Sequence, residues 1–305
     1  MVPVPSAQGR GSGRTLDPGM HAIDDPAMSR STVRGRVPSW SAVADWRMPS
    51  GGLTWAACVA WAPAFGRLAA SSAARLAELL GAWDEKLANI GEDPARQDWS
   101  RFRPLRLSRE EDWSDWLGHL LERSRSGRFP ARLLAGNVEE PRRWLAEHAE
   151  REVVAEGHRA DLVVHFRVGD WAHIEVKAGD LSLAKTPGTG LALRRALGAA
   201  KRGDFLLLPR EDVPCWGSEQ RSLGPSAAAI EVRTWHDVAR ALRLSALEAT
   251  HEDVTWRVWA VTFAGAIEQK LLGFLPVPKH APVVHAGRAT HDLALVEYLE
   301  GLEQP

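Results

Sequence analysis

The chain has 305 residues, 45% of them hydrophobic, with a formal net charge of −1. That is enough apolar material for one large core or two small ones, and the balanced charge excludes a nucleic-acid grip built on global attraction, leaving only a local basic patch. Cys58 and Cys215 stand far apart in no metal-type spacing, no apolar run reaches membrane-spanning length, and the polar start PVPSAQGRGSGR lacks a signal-peptide core, so the expectation is a cytoplasmic protein with free thiols and no membrane contact.

Residues 1–36 are rich in Gly, Pro, Ser and Arg without apolar periodicity and read as a disordered tail. Residues 37–106 form a Trp-rich helical accessory region. Trp40, Trp46, Trp55, Trp61 and Trp83 surround FGRLAASSAARLAELLGAWDEKLANI, whose period near 3.6 stops at Gly91. These tryptophans read as core filler or as a surface that docks a protein partner.

LSREEDWSDWLGHLLERS (107–124) is a helix with Ser108 as N-cap, Glu111 completing a capping box, and an apolar stripe of Trp113, Trp116, Leu117, Leu120 and Leu121. PRRWLAEHAERE (141–152) reads as further helix. Three strands follow at 152–157, 160–166 and 171–178, then a helix over 191–203, a strand over 204–210, a strand over 229–235 and a helix over 236–244. A long buried helix spans 253–274, a Pro/His-rich loop 276–289, and a last helix 290–303. The core thus falls in 107–244, with 245–305 a helical extension packed on it.

The stretch RADLVVHFRVGDWAHIEVKAGD (159–180) carries charges inside strands otherwise built to be buried. If Arg167-Val168-Gly169 makes a three-residue loop with Gly169 left-handed, Phe166 pairs with Asp170 and antiparallel counting sets Asp161 opposite Glu175. Like charges facing each other destabilise a strand pair. Alternation puts Glu175 and Lys177 on that same face and Ile174 and Val176 on the other. A hard cation resolves the conflict, since Mg²⁺ binds through one or two carboxylates and completes its shell with water and substrate phosphate. Taken alone, Glu175-Val176-Lys177 is most often a solvated face with an ion pair. Against that stand the upstream aspartate in register and a lysine in a chain whose only others are Lys86, Lys185, Lys201, Lys270 and Lys279.

Asp161, thirteen residues, then Glu175-Val176-Lys177, on the second and third strands after an acidic helix, resembles the PD-(D/E)XK nuclease superfamily over about residues 108–244. The residue before Asp161 is Ala160, where the family pattern has proline. The resemblance implies an α/β fold with a restriction-endonuclease-like αβββαβ core, a mixed sheet and helical additions at both ends. It implies Mg²⁺- (or Mn²⁺-) dependent hydrolysis of phosphodiesters, with DNA as the expected nucleic acid and defence or repair as the setting. Asp161 and Glu175 would ligate the metal, the Val176 carbonyl would add a third ligand, and Lys177 would be the catalytic lysine. The first helix of the family often adds a glutamate. Helical projection favours Glu110, ahead of Asp112 and Glu111, and the same acids also suit a helix N-terminus. Many members dimerise, so a homodimer is allowed. The alternative keeps the fold without turnover, as a nucleic-acid- or protein-binding module.

Lys185, Arg194, Arg195, Lys201 and Arg202 form a basic stretch that would meet the nucleic-acid backbone or else be a solvated helix face. Lys185 and Thr186 either touch the scissile phosphate or form a helix-entry loop. His158, His165 and His173 read as polar neighbours of the site, because no cysteine or spaced-histidine motif accompanies them.

Overall fold

The computed structural model describes residues 55–91, 93–96, 107–179, 185–198, 200–248, 250–277 and 289–303. The expected tail over 1–36, and Trp40 and Trp46, lie outside them. Helix α1 (Trp55–Leu87) is built on the Ala/Leu period and carries Leu76, Leu79, Leu80, Trp83 and Leu87 as one buried stripe. That stripe joins the same core as the sheet, and α1 runs along the last helix, α7 (Ala289–Glu303), where Arg75 Nε donates to Glu300 Oε1 at 2.8 Å. The apolar face of α1 is therefore occupied within the chain.

Helix α2 (Glu110–Arg123) buries Trp113, Leu117, Leu120 and Leu121 against the sheet. Its cap differs from the expectation. The N-cap is Arg109, not Ser108, and the Asp112 carboxylate, not Glu111, accepts from the backbone N–H groups of Ser108 (2.9 Å) and Arg109 (3.0 Å). The shorter Asp112 reaches back over the exposed first-turn donors from one residue further along.

The segment expected as helix over 141–152 is corrected. Pro141–Trp144 makes one 3₁₀ turn, and the chain then enters strand β1 (Ala146–Ala155), paired antiparallel to β2 (His158–Phe166). Helix formers dominate AEHAERE but offer no apolar stripe to bury, so the ladder with β2 prevails over local propensity. The β1–β2 turn has both central residues, Glu156 (φ 48°) and Gly157 (φ 79°), in the left-handed region, which suits a tight two-residue hairpin.

Strand β3 (Trp171–Val176) follows the three-residue loop as expected. Gly169 has φ 87°, the Phe166 N–H donates to the Asp170 carbonyl at 2.8 Å, and Leu162 faces Ile174. Helix α3 (Thr186–Leu197) starts earlier than expected and ends earlier, so Lys201–Gly203 belongs to strand β4 (Lys201–Leu208). An unexpected helix α4 (Val213–Ser222) precedes strand β5 (Ile230–Thr234). Helix α5 (Trp235–Leu247) is capped reciprocally by Thr234 and Asp237, and α6 (Val254–Lys270) by Asp253.

The five strands lie in the order β1-β2-β3-β4-β5, antiparallel through β3 and parallel from β3 to β5. One face (Leu162, Val164, Phe166, Ile174, Val176, Phe205, Leu207) packs into the main core with α2, α5 and α6. The other carries Val163 and Trp171 against Ala192 and Leu193 of α3, and Leu206 and Leu208 against Trp216 of α4. The sheet is thus covered on both faces, an α/β layering. A buried ionic cluster ties distant segments of the chain together, with Arg243 of α5 donating to Asp93 (2.7 and 3.0 Å) and to Glu268 of α6 (2.5 and 2.8 Å). Tyr298 of α7 adds its hydroxyl to Glu268 Oε1 at 2.9 Å. None of the described helices is long and apolar enough to cross a membrane.

Candidate active site

The β2–β3 register sets Asp161 level with Glu175 on the face opposite Ile174 and Val176. The Val176 backbone N–H donates to Asp161 Oδ2 at 2.8 Å, so the strand pair itself aims the aspartate. Glu175 and Lys177 are buried side chains in contact, with Lys177 Nζ 3.2 Å from Glu175 Oε1. Glu110, the first residue of α2, joins them. Its Oε1 accepts from the Ala178 N–H at 2.9 Å and its Oε2 lies 3.7 Å from Lys177 Nζ. Neither Asp112, engaged in capping, nor Glu111 makes this contact. Trp235 anchors the strand end by donating Nε1–H to the Lys177 carbonyl at 2.8 Å.

The electrostatics follow from three carboxylates around one ammonium. Burial and the neighbouring Glu175 charge push the Asp161 pKa up to about 6, against partial relief from the Val176 N–H. For Glu175 burial also works against ionisation, yet His173 and Lys177 together hold its pKa below the ordinary value. Burial is likewise outweighed at Lys177, whose pKa is raised by Glu175, Asp161 and Glu110.

Behind Glu175 stands His173, one of the histidines expected as polar neighbours of the site, with Asp204 beyond it. His173 is fully buried, with Nδ1 3.1 Å from Asp204 Oδ1 and Nε2 3.6 Å from Glu175 Oε2. The second distance is an ion-pair contact too long for a hydrogen bond, and both atoms lack a hydrogen-bond partner. Despite burial, the two carboxylates raise the His173 pKa. Asp204 is held in turn by Lys201, whose ammonium also donates to the Gly190 carbonyl at 3.0 Å. A Cβ on Gly190 would lie 2.6 Å from Asp204 Oδ1, so glycine is what lets α3 approach this chain of charges.

The cluster opens into a cleft of about 510 Å³ lined by Glu110, Asp161, Glu175, Lys177, Lys185 and Thr189, with His158 and Arg159 from the hairpin end. Lys185 therefore reaches the site, whereas Thr186 is buried. Arg194 is exposed on α3, and Arg195 pairs with Glu156 at 2.8 Å. Lys201 and Arg202 do not come to the cleft. Parallel pairing sets Lys201 beside Trp171 while Glu175 lies beside Leu206, at the other end of the strands. Arg202 is spent on Asp170 (2.6 and 2.9 Å) and stacks on Trp144 and Phe166. Both are therefore paired within the chain and lie away from the cleft.

Arg159 and Thr189 line the cleft without having been expected there, whereas His158 was expected as a polar neighbour. The tight Glu156-Gly157 turn was the available signal, because it places the first residues of β2 beside Asp161. Oxygen donors from Asp161, Glu175 and Glu110 suit a hard divalent cation. A further positive charge would offset the excess of carboxylates over the single ammonium. A larger groove of about 940 Å³ lies elsewhere, between residues 132–139, β5 and α5. Its Arg233 is committed to the Leu133 and Leu134 carbonyls and its Asp237 to the α5 cap.

Compared with protein-family models, curated proteins and solved structures, the chain matches none.

Proposed function

We propose that the protein is a metal-dependent nuclease of the restriction-endonuclease-like kind, hydrolysing phosphodiester bonds of nucleic acid, with DNA as the expected polymer. The observation that carries this reading is the convergence of Glu110, Asp161, Glu175 and Lys177, from one helix and two strands, in a single open cleft. The order helix, three strands, helix, strand around that cleft supports it.

Asp161 and Glu175 would hold Mg²⁺ or Mn²⁺, with Glu110 at its edge and the Val176 carbonyl as the further ligand that the resemblance implies. A cation bound there would polarise a phosphoryl oxygen and activate water. Lys177, kept charged by its three acidic neighbours, is a point-charge donor for the phosphate or the attacking water. Lys185 and Arg159 flank the cleft mouth, where the neighbouring phosphates of a bound strand would lie. His173 and Asp204 keep Glu175 in place and ionised.

The test is digestion of duplex, single-stranded and RNA substrates by the full chain in Mg²⁺ or Mn²⁺ against EDTA. Asp161→Ala, Glu175→Gln and Lys177→Ala should each lower the rate by about a hundredfold or more, as loss of a group stabilising transition-state charge does. Full activity in Asp161→Ala refutes the proposal. Salt-sensitive binding with no cleavage of any substrate would instead support a non-catalytic module on the same fold.

A further inference from the structure

On the same sheet face as Asp161, but toward the other end of the β1–β2 ladder, a second group of ligand-type side chains comes together. His148 of β1 faces His165 of β2 directly, and Glu150 lies two residues along β1 on the same side. The two imidazoles stack in parallel, with ring centroids 4.3 Å apart and planes 6° apart. Both Nε2 atoms address one carboxylate oxygen, Glu150 Oε1, at 2.9 Å from His148 and 3.8 Å from His165. The three potential ligand atoms lie within 4.8 Å of one another. His165 stands four residues from Asp161, roughly 13 Å along an extended strand, so this group is separate from the cleft.

Side-chain pairing alone leaves the arrangement incomplete. Glu150 can satisfy His148, but His165 Nε2 is then buried without a hydrogen-bond partner. Protonating both rings would set two positive charges face to face. Two imidazoles and a carboxylate on adjacent strands are a donor set for a borderline cation, unlike the all-oxygen set of the cleft.

We propose that His148, Glu150 and His165 form a binding site for a zinc-type divalent transition-metal ion. The strands fix the positions of all three Cβ atoms, and side-chain rotation alone has to draw the donors inward to the roughly 2.0–2.2 Å that zinc requires. Because β1 is one of the two edge strands of the described sheet, such an ion would tie that edge to β2. The His148 and Glu150 side chains are 45% and 52% exposed, so a fourth position faces solvent for water or an exchangeable ligand.

The experiment is calorimetric titration of the metal-stripped full chain with Zn²⁺, and in parallel with Co²⁺, whose visible absorption reports nitrogen ligation. One equivalent is expected to bind in the Asp161→Asn background, where the cleft has lost a ligand. His148→Gln, Glu150→Gln and His165→Gln should each weaken binding by roughly a hundredfold, as loss of one of three protein ligands does. Asp161→Asn and Glu175→Gln should leave it unchanged. The His148 and Glu150 side chains are about half exposed, so their variants keep the fold even if that of the less accessible His165, His165→Gln, does not; circular dichroism checks this. Absence of one-equivalent binding, binding unmoved by His148→Gln and Glu150→Gln, or binding abolished by Asp161→Asn would each overturn the proposal. None of these readouts depends on nuclease activity.

Discussion

Replacing Asp161 by asparagine should stabilise the metal-free protein at neutral pH while removing its response to Mg²⁺. In the fold the Asp161 pKa rises from its ordinary 3.8 to about 6, because the carboxylate is buried beside ionised Glu175. An acid whose folded pKa lies above its unfolded value keeps its proton in the native state while the unfolded chain has already released it. Stability therefore falls as pH rises from about 4 to about 6, and above that the full penalty is present. Two units correspond to about 3 kcal/mol, an upper bound for a site partly open to solvent. Asparagine keeps an oxygen to accept the Val176 N–H but carries no charge, so the variant should gain about 1–3 kcal/mol at pH 7.5. The gain should shrink toward zero near pH 4. Urea denaturation in EDTA across that range measures it, and adding Mg²⁺ should then stabilise the wild type and not the variant. A variant less stable than wild type at pH 7.5, or a difference that does not change between pH 4 and 7, refutes the electrostatic reasoning even if the cleft proves to be catalytic.

Arg243→Met, which leaves Asp93 and Glu268 buried without their cation, should cost about 3–5 kcal/mol in a denaturant titration; a cost below 1 kcal/mol would mean that the cluster relaxes into solvent. Gly190→Ala drives a methyl group against Asp204 and should cost about 1–3 kcal/mol and lower any cleavage rate, whereas Gly81→Ala, with open space around an exposed helix position, should stabilise by about 0.5–1 kcal/mol. Equal effects at the two glycines would contradict the close approach of α3. Trp235→Phe removes the donor to the Lys177 carbonyl and should cost about 1–3 kcal/mol, read as a shift in denaturation midpoint; an unchanged midpoint would show that the carbonyl finds another partner.

Much of the site was legible because short-range rules set it. The Arg167-Val168-Gly169 loop fixes the hairpin register, and strand alternation then assigns Asp161, Glu175 and Lys177 to one face without reference to the rest of the chain. The helical period of α1 and α2 was equally plain, since it repeats within a few turns. Residues 146–152 were not legible. Their helix-forming composition says nothing of a partner, and only β2, supplying a ladder along one edge, makes them a strand. The basic residues divide for the same reason. Lys185 and Arg202 look alike in a sequence, but parallel pairing of β3 with β4 carries Arg202 to the far end of the sheet and into the grip of Asp170, while Lys185 stays at the cleft. His173 shares a strand face with Glu175 by simple alternation, but His173 against Asp204, and His148 against His165, are contacts between strands whose positions in the chain carry no mark of each other. Local chemistry chose which residue types could act together, and the pairing of distant strands decided which of them meet.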